Sequence, residues 1–287
     1  MIQNSICGDY GLDHYRPPLC FELVGKSFTL IMDNGVDYVL NFVSNKFLEW
    51  NYEGNEPQVE EYECLKGDDT TYLVSFEISN DEQRTNHTVV LDLENMLVTR
   101  IIARNGENPK FKYLNSTYFD FGAILKEDGT TEFKRHSYTD EMVGTCVQWC
   151  YGPQITTVHV YYCTNFYRIT YPYDNTQEES INEGLMNLLS QLPSSDEPAV
   201  YIRIKDKMYL VSITEVNMEK LLGAKGQFRS NTLCFLQNYD RLYQVGRAFG
   251  NITIDEGDIK INMMFGAYGK FTDVPEEYIA APNPYIV

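Results

Sequence analysis

Short runs in which apolar and polar residues alternate, or in which apolar residues continue unbroken, follow one another along much of the chain. They cover Lys26–Met32, Val36–Phe42, Lys46–Tyr52, Thr71–Ile78, His87–Leu93 and Met96–Arg104. A period of two sends successive side chains to opposite faces of a strand, so each run is predicted as a β-strand. Asp33-Asn34-Gly35 joins the first two with hairpin-turn residues, both central positions being expected at positive φ, and Asp92–Asn95 turns a later hairpin. Strands joined in this order form a meander. Closing a meander at about eight strands removes its sticky edges and leaves an interior for side chains or one small ligand. A single helical pattern interrupts the series: Glu178–Gln191 places Ile181, Leu185, Leu188 and Leu189 on one face and stops before Pro193.

The pattern occurs twice. Leu23-Val24-Gly25 recurs as Met142-Val143-Gly144, and at the same spacing Asn45-Lys46-Phe47 falls on Thr164-Asn165-Phe166. Tyr72-Leu73-Val74-Ser75 returns unchanged as Tyr209-Leu210-Val211-Ser212, the longer spacing marking an insertion near Asp174–Pro198. Further on, Thr88-Val89-Val90-Leu91 and Arg104-Asn105-Gly106 are matched to Thr232-Leu233-Cys234-Phe235 and Ala248-Phe249-Gly250. Repetition of this kind means one structural unit used twice. The expectation is an all-β chain of two tandem lipocalin-like antiparallel barrels, 1–126 and 138–287, joined through Lys126–Thr139, with a short helix in an insertion at 175–197. The proline-bearing stretch Pro275–Val287 is expected as an extended tail.

Composition narrows the function. A net charge of -18 argues against nucleic acid, whose phosphates need clustered Lys and Arg. The sequence shows no leader pattern at Met1 and no apolar run near membrane length, and its 7 cysteines form no scaffold pattern, so a cytoplasmic protein without a membrane partner is expected. Gly223-Ala224-Lys225-Gly226 lacks the strand-to-helix setting of a phosphate loop. With 22 Tyr and 15 Phe, the composition suits an aromatic-lined interior.

Several motifs carry a resemblance to a known family. Val24-Gly25-Lys26-Ser27-Phe28-Thr29-Leu30-Ile31-Met32-Asp33-Asn34-Gly35, Tyr72-Leu73-Val74-Ser75-Phe76, Asp140-Glu141-Met142-Val143-Gly144, His159-Val160-Tyr161 and Tyr209-Leu210-Val211-Ser212 together resemble the two-barrel MoaF family. That family is named for a molybdenum-cofactor context and is similar to lipocalins and to phenolic acid decarboxylase. The decarboxylase resemblance implies chemistry by two strand tyrosines, an arginine and a glutamate. The tyrosine positions fall on Leu30 and Met32 in the first copy and on Trp149 and Tyr151 in the second, and the glutamate position falls on Glu215. Arg168 lies one residue out of register, which turns it to the opposite face, so the set is incomplete.

The second copy holds the densest candidates: Trp149, Tyr151, His159, Tyr161, Tyr162, Glu215 and Arg247. One reading is a cofactor-free lyase, isomerase or cyclase acting on a small aromatic or conjugated metabolite. In it His159, Glu215 and Tyr151 do the proton chemistry while Trp149, Tyr161 and Arg247 hold the ligand. The other is a binding protein in which the same aromatics hold the metabolite unchanged, and a third is two packed barrels with no pocket. Core aromatics with satisfied hydroxyls and a satisfied core histidine would look the same in sequence. In the first copy Tyr38, Trp50, Glu77 and His87 are the comparable residues, with packing the better account beside Leu30 and Met32. No cofactor or metal is called for: Cys146, Cys150, His159 and Cys163 lack ligand-motif spacing. A homodimer is compatible with this reading.

Overall fold

The computed structural model describes residues 12–52, 55–110, 114–153, 155–170, 194–217, 228–254 and 257–274. Eight antiparallel strands make the first barrel: β1 (Ser27–Met32), β2 (Tyr38–Phe42), β3 (Phe47–Tyr52), β4 (Gln58–Lys66), β5 (Thr71–Glu77), β6 (Arg84–Asp92), β7 (Leu97–Asn105) and β8 (Asn115–Ile124). Each pairs with its neighbour in sequence, and β1 closes on β8 through Leu30↔Ile124 and Met32↔Gly122. After the two-residue β9 (Ser137–Tyr138) come β10 (Thr145–Gly152), β11 (Ile155–Tyr161), β12 (Phe166–Thr170), β13 (Ser194–Lys205), β14 (Met208–Thr214), β15 (Phe228–Asn238), β16 (Tyr243–Ile254) and β17 (Gly257–Phe271). Pairings β10–β17 and β12–β13 close these into the second barrel, while β9 extends the sheet along the far half of β13. The chain is thus two closed barrels in tandem. The helix expected at Glu178–Gln191 lies outside the described residues, and among those residues no helix is long and apolar enough to cross a membrane.

The repeat is visible atom by atom. Leu23 and Met142 each plug one end of a barrel with no exposure, and each is followed by a glycine at positive φ, Gly25 at 79° and Gly144 at 90°. Only glycine takes that conformation without steric cost. The glycine N–H groups donate to the carbonyls of Phe42 and Tyr161, the last residues of β2 and β11. Tyr72-Leu73-Val74-Ser75 and Tyr209-Leu210-Val211-Ser212 lie in the fifth strand of their barrels, with identical burial patterns.

Two sequence expectations need correction. Between β1 and β2 only Gly35 has positive φ, because Asn34 turns its side-chain oxygen to the Val36 N–H and serves as a local cap. In the sixth strands the correspondence runs two residues beyond the one read from Thr88-Val89-Val90-Leu91. Leu91 faces Tyr72 just as Gln237, not Phe235, faces Tyr209. The hairpin turns agree with the structural match: Met96 and Leu242, the equivalent residues, sit at φ 53° and 44°. Asp92 and Asn238 each accept two backbone N–H groups in the turn that follows.

Alternation sends two sets of side chains to two different cores. Residues such as Tyr72, Val74 and Phe76 fill the first barrel, and Tyr209, Val211 and Ile213 fill the second. The opposite parity builds a seam in which Leu65, Leu73, Val90 and Ile101 of one barrel pack on Ile202, Met208, Leu210, Leu236, Val245 and Met264 of the other. Polar clasps border it. Arg84 forks onto Glu77 at 2.7 and 2.8 Å and reaches across to Asn251 Oδ1 at 2.7 Å and the Ile261 carbonyl at 3.2 Å. Lys205 bonds Asp68 at 2.7 Å and Glu94 at 2.9 Å. Gly67 touches Leu236 so closely that an added Cβ would lie 2.6 Å from its methyl.

Candidate functional site

Strand parity points Trp149 and Tyr151 of β10, Thr157, His159 and Tyr161 of β11, and Gln237 and Gln244 of β15 and β16 into the second barrel. The structure brings together four of the predicted site residues here, and it ties most of their polar atoms to one another. Thr157 Oγ1 meets His159 Nε2 at 3.0 Å, and His159 Nδ1 meets the Tyr161 hydroxyl at 3.2 Å. The Gln237 amide donates to that hydroxyl at 2.7 Å and to Gln244 Oε1 at 2.9 Å, and Gln244 donates to the Tyr151 hydroxyl at 2.8 Å. These contacts link six side chains in series from Thr157 to Tyr151, and Thr157 also acts on the Tyr151 hydroxyl, holding its pKa down, so the two ends of the series lie close together as an almost closed ring. Burial lowers the His159 pKa to about 3 and raises those of Tyr151 and Tyr161, so at neutral pH the ring is uncharged. Tyr167 and Phe235 press on His159 at ring distances of 5.1 and 5.4 Å. The Trp149 indole N–H is buried without an acceptor.

Glu215 continues the inward parity of β14 beyond Ile213, at the end of the barrel where β12 leaves and β15 enters. It does not join the ring; Asn231 Nδ2 donates to its carboxylate at 3.1 Å. Across from it, on β13, lies Glu197, which the sequence reading passed over. Glu197 is buried, accepts the Val216 and Asn217 N–H groups at 2.6 and 3.0 Å, and takes the Ser195 hydroxyl. Burial first, with the Glu215 charge adding to it, raises its pKa to about 7. The repeat explains part of this. The residue equivalent to Glu197 in the first copy is Glu60, which accepts the Ser79 N–H at 2.9 Å, the position equivalent to Val216. Both carboxylates therefore secure the chain where it leaves the fifth strand, and the signal was there to read: the spacing that superposes the two Tyr-Leu-Val-Ser blocks also superposes the two glutamates.

Arg247 sits apart from these residues. It faces outward from β16 into the seam, where Nη1 meets Glu63 Oε2 at 3.0 Å. Beside it is a seam cavity of about 10 Å³ lined by Asn86, Thr88, Ser212 and Thr232, room for about one water. Tyr162 and Arg168 are also outside the barrel, with Arg168 forked onto Asp196 at 2.7 and 2.8 Å. Cys146 and Cys150 share the outward parity of β10, so the barrel wall separates them from His159 and the cysteine–histidine grouping is not assembled.

The first barrel has the packed interior expected beside Leu30 and Met32, and it also holds a second polar group that the sequence reading did not include. Its closed end is apolar, plugged by Leu23 and Cys20. At the other end, where β1 turns into β2 and β3 into β4, Tyr38, Trp50 and Tyr52 form an aromatic wall with Tyr38 stacked on Trp50 at 6.4 Å. Tyr52 is 38% exposed, so this wall reaches the surface. Behind it, Arg100 of β7 is 2% exposed, pairs with Asp120, and lies over the Tyr38 ring at 3.6 Å. Its Nε and Nη1 are buried with no partner, as is Trp50 Nε1. His87 packs on Trp50 at 5.2 Å, and burial together with the charges of Arg100 and Arg104 lowers its pKa to about 3. Glu77, by contrast, faces the seam. The signal for Arg100 was its parity with Val98 in Leu97-Val98-Thr99-Arg100, which turns a lone arginine toward the core.

Residues 9–107 match the family described as MoaF N-terminal domain. The match runs from before the Leu23 plug to the end of β7 and bears out the resemblance to MoaF over most of the first barrel. No curated protein matches the chain.

Proposed function

We propose that this protein is a small-molecule-binding barrel protein that takes a small aromatic or conjugated metabolite at the open end of its first barrel and holds it unchanged. The observation that carries this reading is the aromatic wall of Tyr38, Trp50 and Tyr52, which begins at the surface and continues inward to buried polar groups. Flat rings stack on such a wall in offset or tilted geometry, and buried polar groups then fix their orientation. The second barrel offers less, because its polar ring already satisfies itself. Free cysteines at all 6 described positions support a cytoplasmic setting.

A second reading, a cofactor-independent lyase, isomerase or cyclase in the second barrel, is favoured by one observation. Glu197 and Glu215 face each other at the barrel end, and Glu197 titrates near neutrality, where a carboxyl can both give and take a proton. One experiment tests the two. The full chain is incubated with a pool of aromatic and conjugated metabolites, separated by gel filtration, and analysed by mass spectrometry for retained and newly formed compounds. A compound retained intact, and released by a Trp50→Ala substitution, is the expected result. A compound consumed with a matched product, in a reaction lost in Glu215→Gln, would replace binding with catalysis, and neither retention nor turnover of any compound would overturn both.

A further inference from the structure

We infer that the ligand of the first barrel carries a carboxylate, and that Arg100 and the Trp50 indole receive it. This rests on the reading that the first barrel is the binding barrel and adds the chemical class. The unmet hydrogen-bonding capacity in this interior is weighted to donors: Arg100 Nε, Arg100 Nη1 and Trp50 Nε1 can only donate, while Ser116 Oγ, on the same face of β8 as Asp120, can donate or accept. A buried donor without a partner has lost its water and gained nothing in return, so three in one interior favour a guest that brings acceptors.

The guanidinium is also held ready. Asp120 takes Nη2 and the Tyr38 ring covers one face at 3.6 Å, which leaves Nε–H and Nη1–H, on either side of Nη2, as separate in-plane donors. Arginine donates from such groups to carboxylate oxygens in plane. The facing groups favour an anion too. His87 feels the positive charge of both Arg100 and Arg104, and the nearest interior carboxylates are committed, Asp120 to Arg100 and Glu60 to Ser79. The same wall that stacks the ring, Tyr38 on Trp50, therefore leads directly to the charge.

The second copy shows by contrast that the barrel does not require this arrangement. The positions equivalent to Arg100 and Asp120 are Gly246 and Phe265, a register pair like theirs, and the Phe265 ring lies against the glycine where the arginine would stand. A barrel of this sequence family closes and fills without an ion pair inside it. The pair in the first copy is thus not a demand of the fold.

The test titrates the full chain by calorimetry with benzoate and with neutral benzamide. Benzoate is expected to bind at least tenfold more tightly. That preference should vanish in the double variant Arg100→Met, Asp120→Leu, which removes the pair without stranding a charge, and fall several-fold in Trp50→Phe, which keeps the ring and loses the N–H. If the double variant does not fold, Arg100→Lys carries the same test, since it keeps a charge for Asp120 but lacks the planar donor edge. Equal affinity for the two probes overturns the carboxylate while leaving a barrel that binds aromatics. A benzoate preference that survives the Arg100 substitutions overturns the assignment of the residue, and binding of neither probe overturns the binding reading itself.

Discussion

Acid should expose how completely His159 is sealed. Its pKa is about 3 in the folded barrel, against about 6.5 for an exposed histidine. Between those values the unfolded chain holds a proton that the folded one does not, so unfolding takes up a proton and stability falls as the pH is lowered through that window. At pH 5 the unfolded histidine is about 1.5 pH units below its own pKa, which removes about 2 kcal/mol of stability relative to pH 7. Replacing His159 by Gln keeps a polar side chain between Thr157 and Tyr161 and deletes the proton. Denaturant unfolding at pH 7 and pH 5 then isolates the term, because His87 and Glu197 titrate in both proteins and cancel in the difference. The wild type should lose about 2 kcal/mol more than the variant over this interval. Its His159 ring resonances should also stay constant in a pH titration monitored by NMR. Equal losses in the two proteins, or a ring that titrates near pH 6, would refute the sealed, neutral ring.

Glu197 should show the opposite sign. Its folded pKa of about 7 exceeds the unfolded value, so its stabilisation is present in acid and lost as the pH rises through 7. From pH 5 to pH 8 the wild type should lose about 2 kcal/mol that a Glu197→Gln variant retains, checked by unfolding midpoints at the two pH values. At Gly246 an added methyl would collide with the Phe265 ring and the Cys234 carbonyl, and such overpacking costs about 1–3 kcal/mol. Gly246→Ala should therefore melt several degrees lower than wild type in a thermal scan, and an unchanged melting temperature would show that the ring can move aside.

The fold was legible because its repeat is carried by local chemistry. A glycine after Leu23 and Met142, and an apolar Tyr-Leu-Val-Ser strand, fix plugs and core strands wherever they occur. β4 was less readable: Glu60 faces inward from Gln58-Val59-Glu60-Glu61, so the segment reads as polar although it lies between two paired strands. Four of the predicted site residues, Trp149, Tyr151, His159 and Tyr161, do meet in one interior. What alternation alone did not show is that the two tyrosine hydroxyls are answered by Gln237 and Gln244, two residues from another hairpin, which only the register of β15 and β16 brings opposite them. Arg247 illustrates a different difficulty. An arginine in a strand that borders two cores can serve either, and its pairing with Glu63 is a long-range contact with no local signature.

The doubled architecture also determines how the two halves can diverge. Each lumen is walled off by its own ring of strands, so a change inside one, such as arginine and aspartate where the other has glycine and phenylalanine, goes unnoticed by its twin. The common wall is another matter, since Leu73 and Leu210 are neighbours as well as duplicates. Duplication has left each half free to acquire its own guest while binding both to one set of partition residues. New pockets can be engineered one lumen at a time, but the partition must be altered as a set.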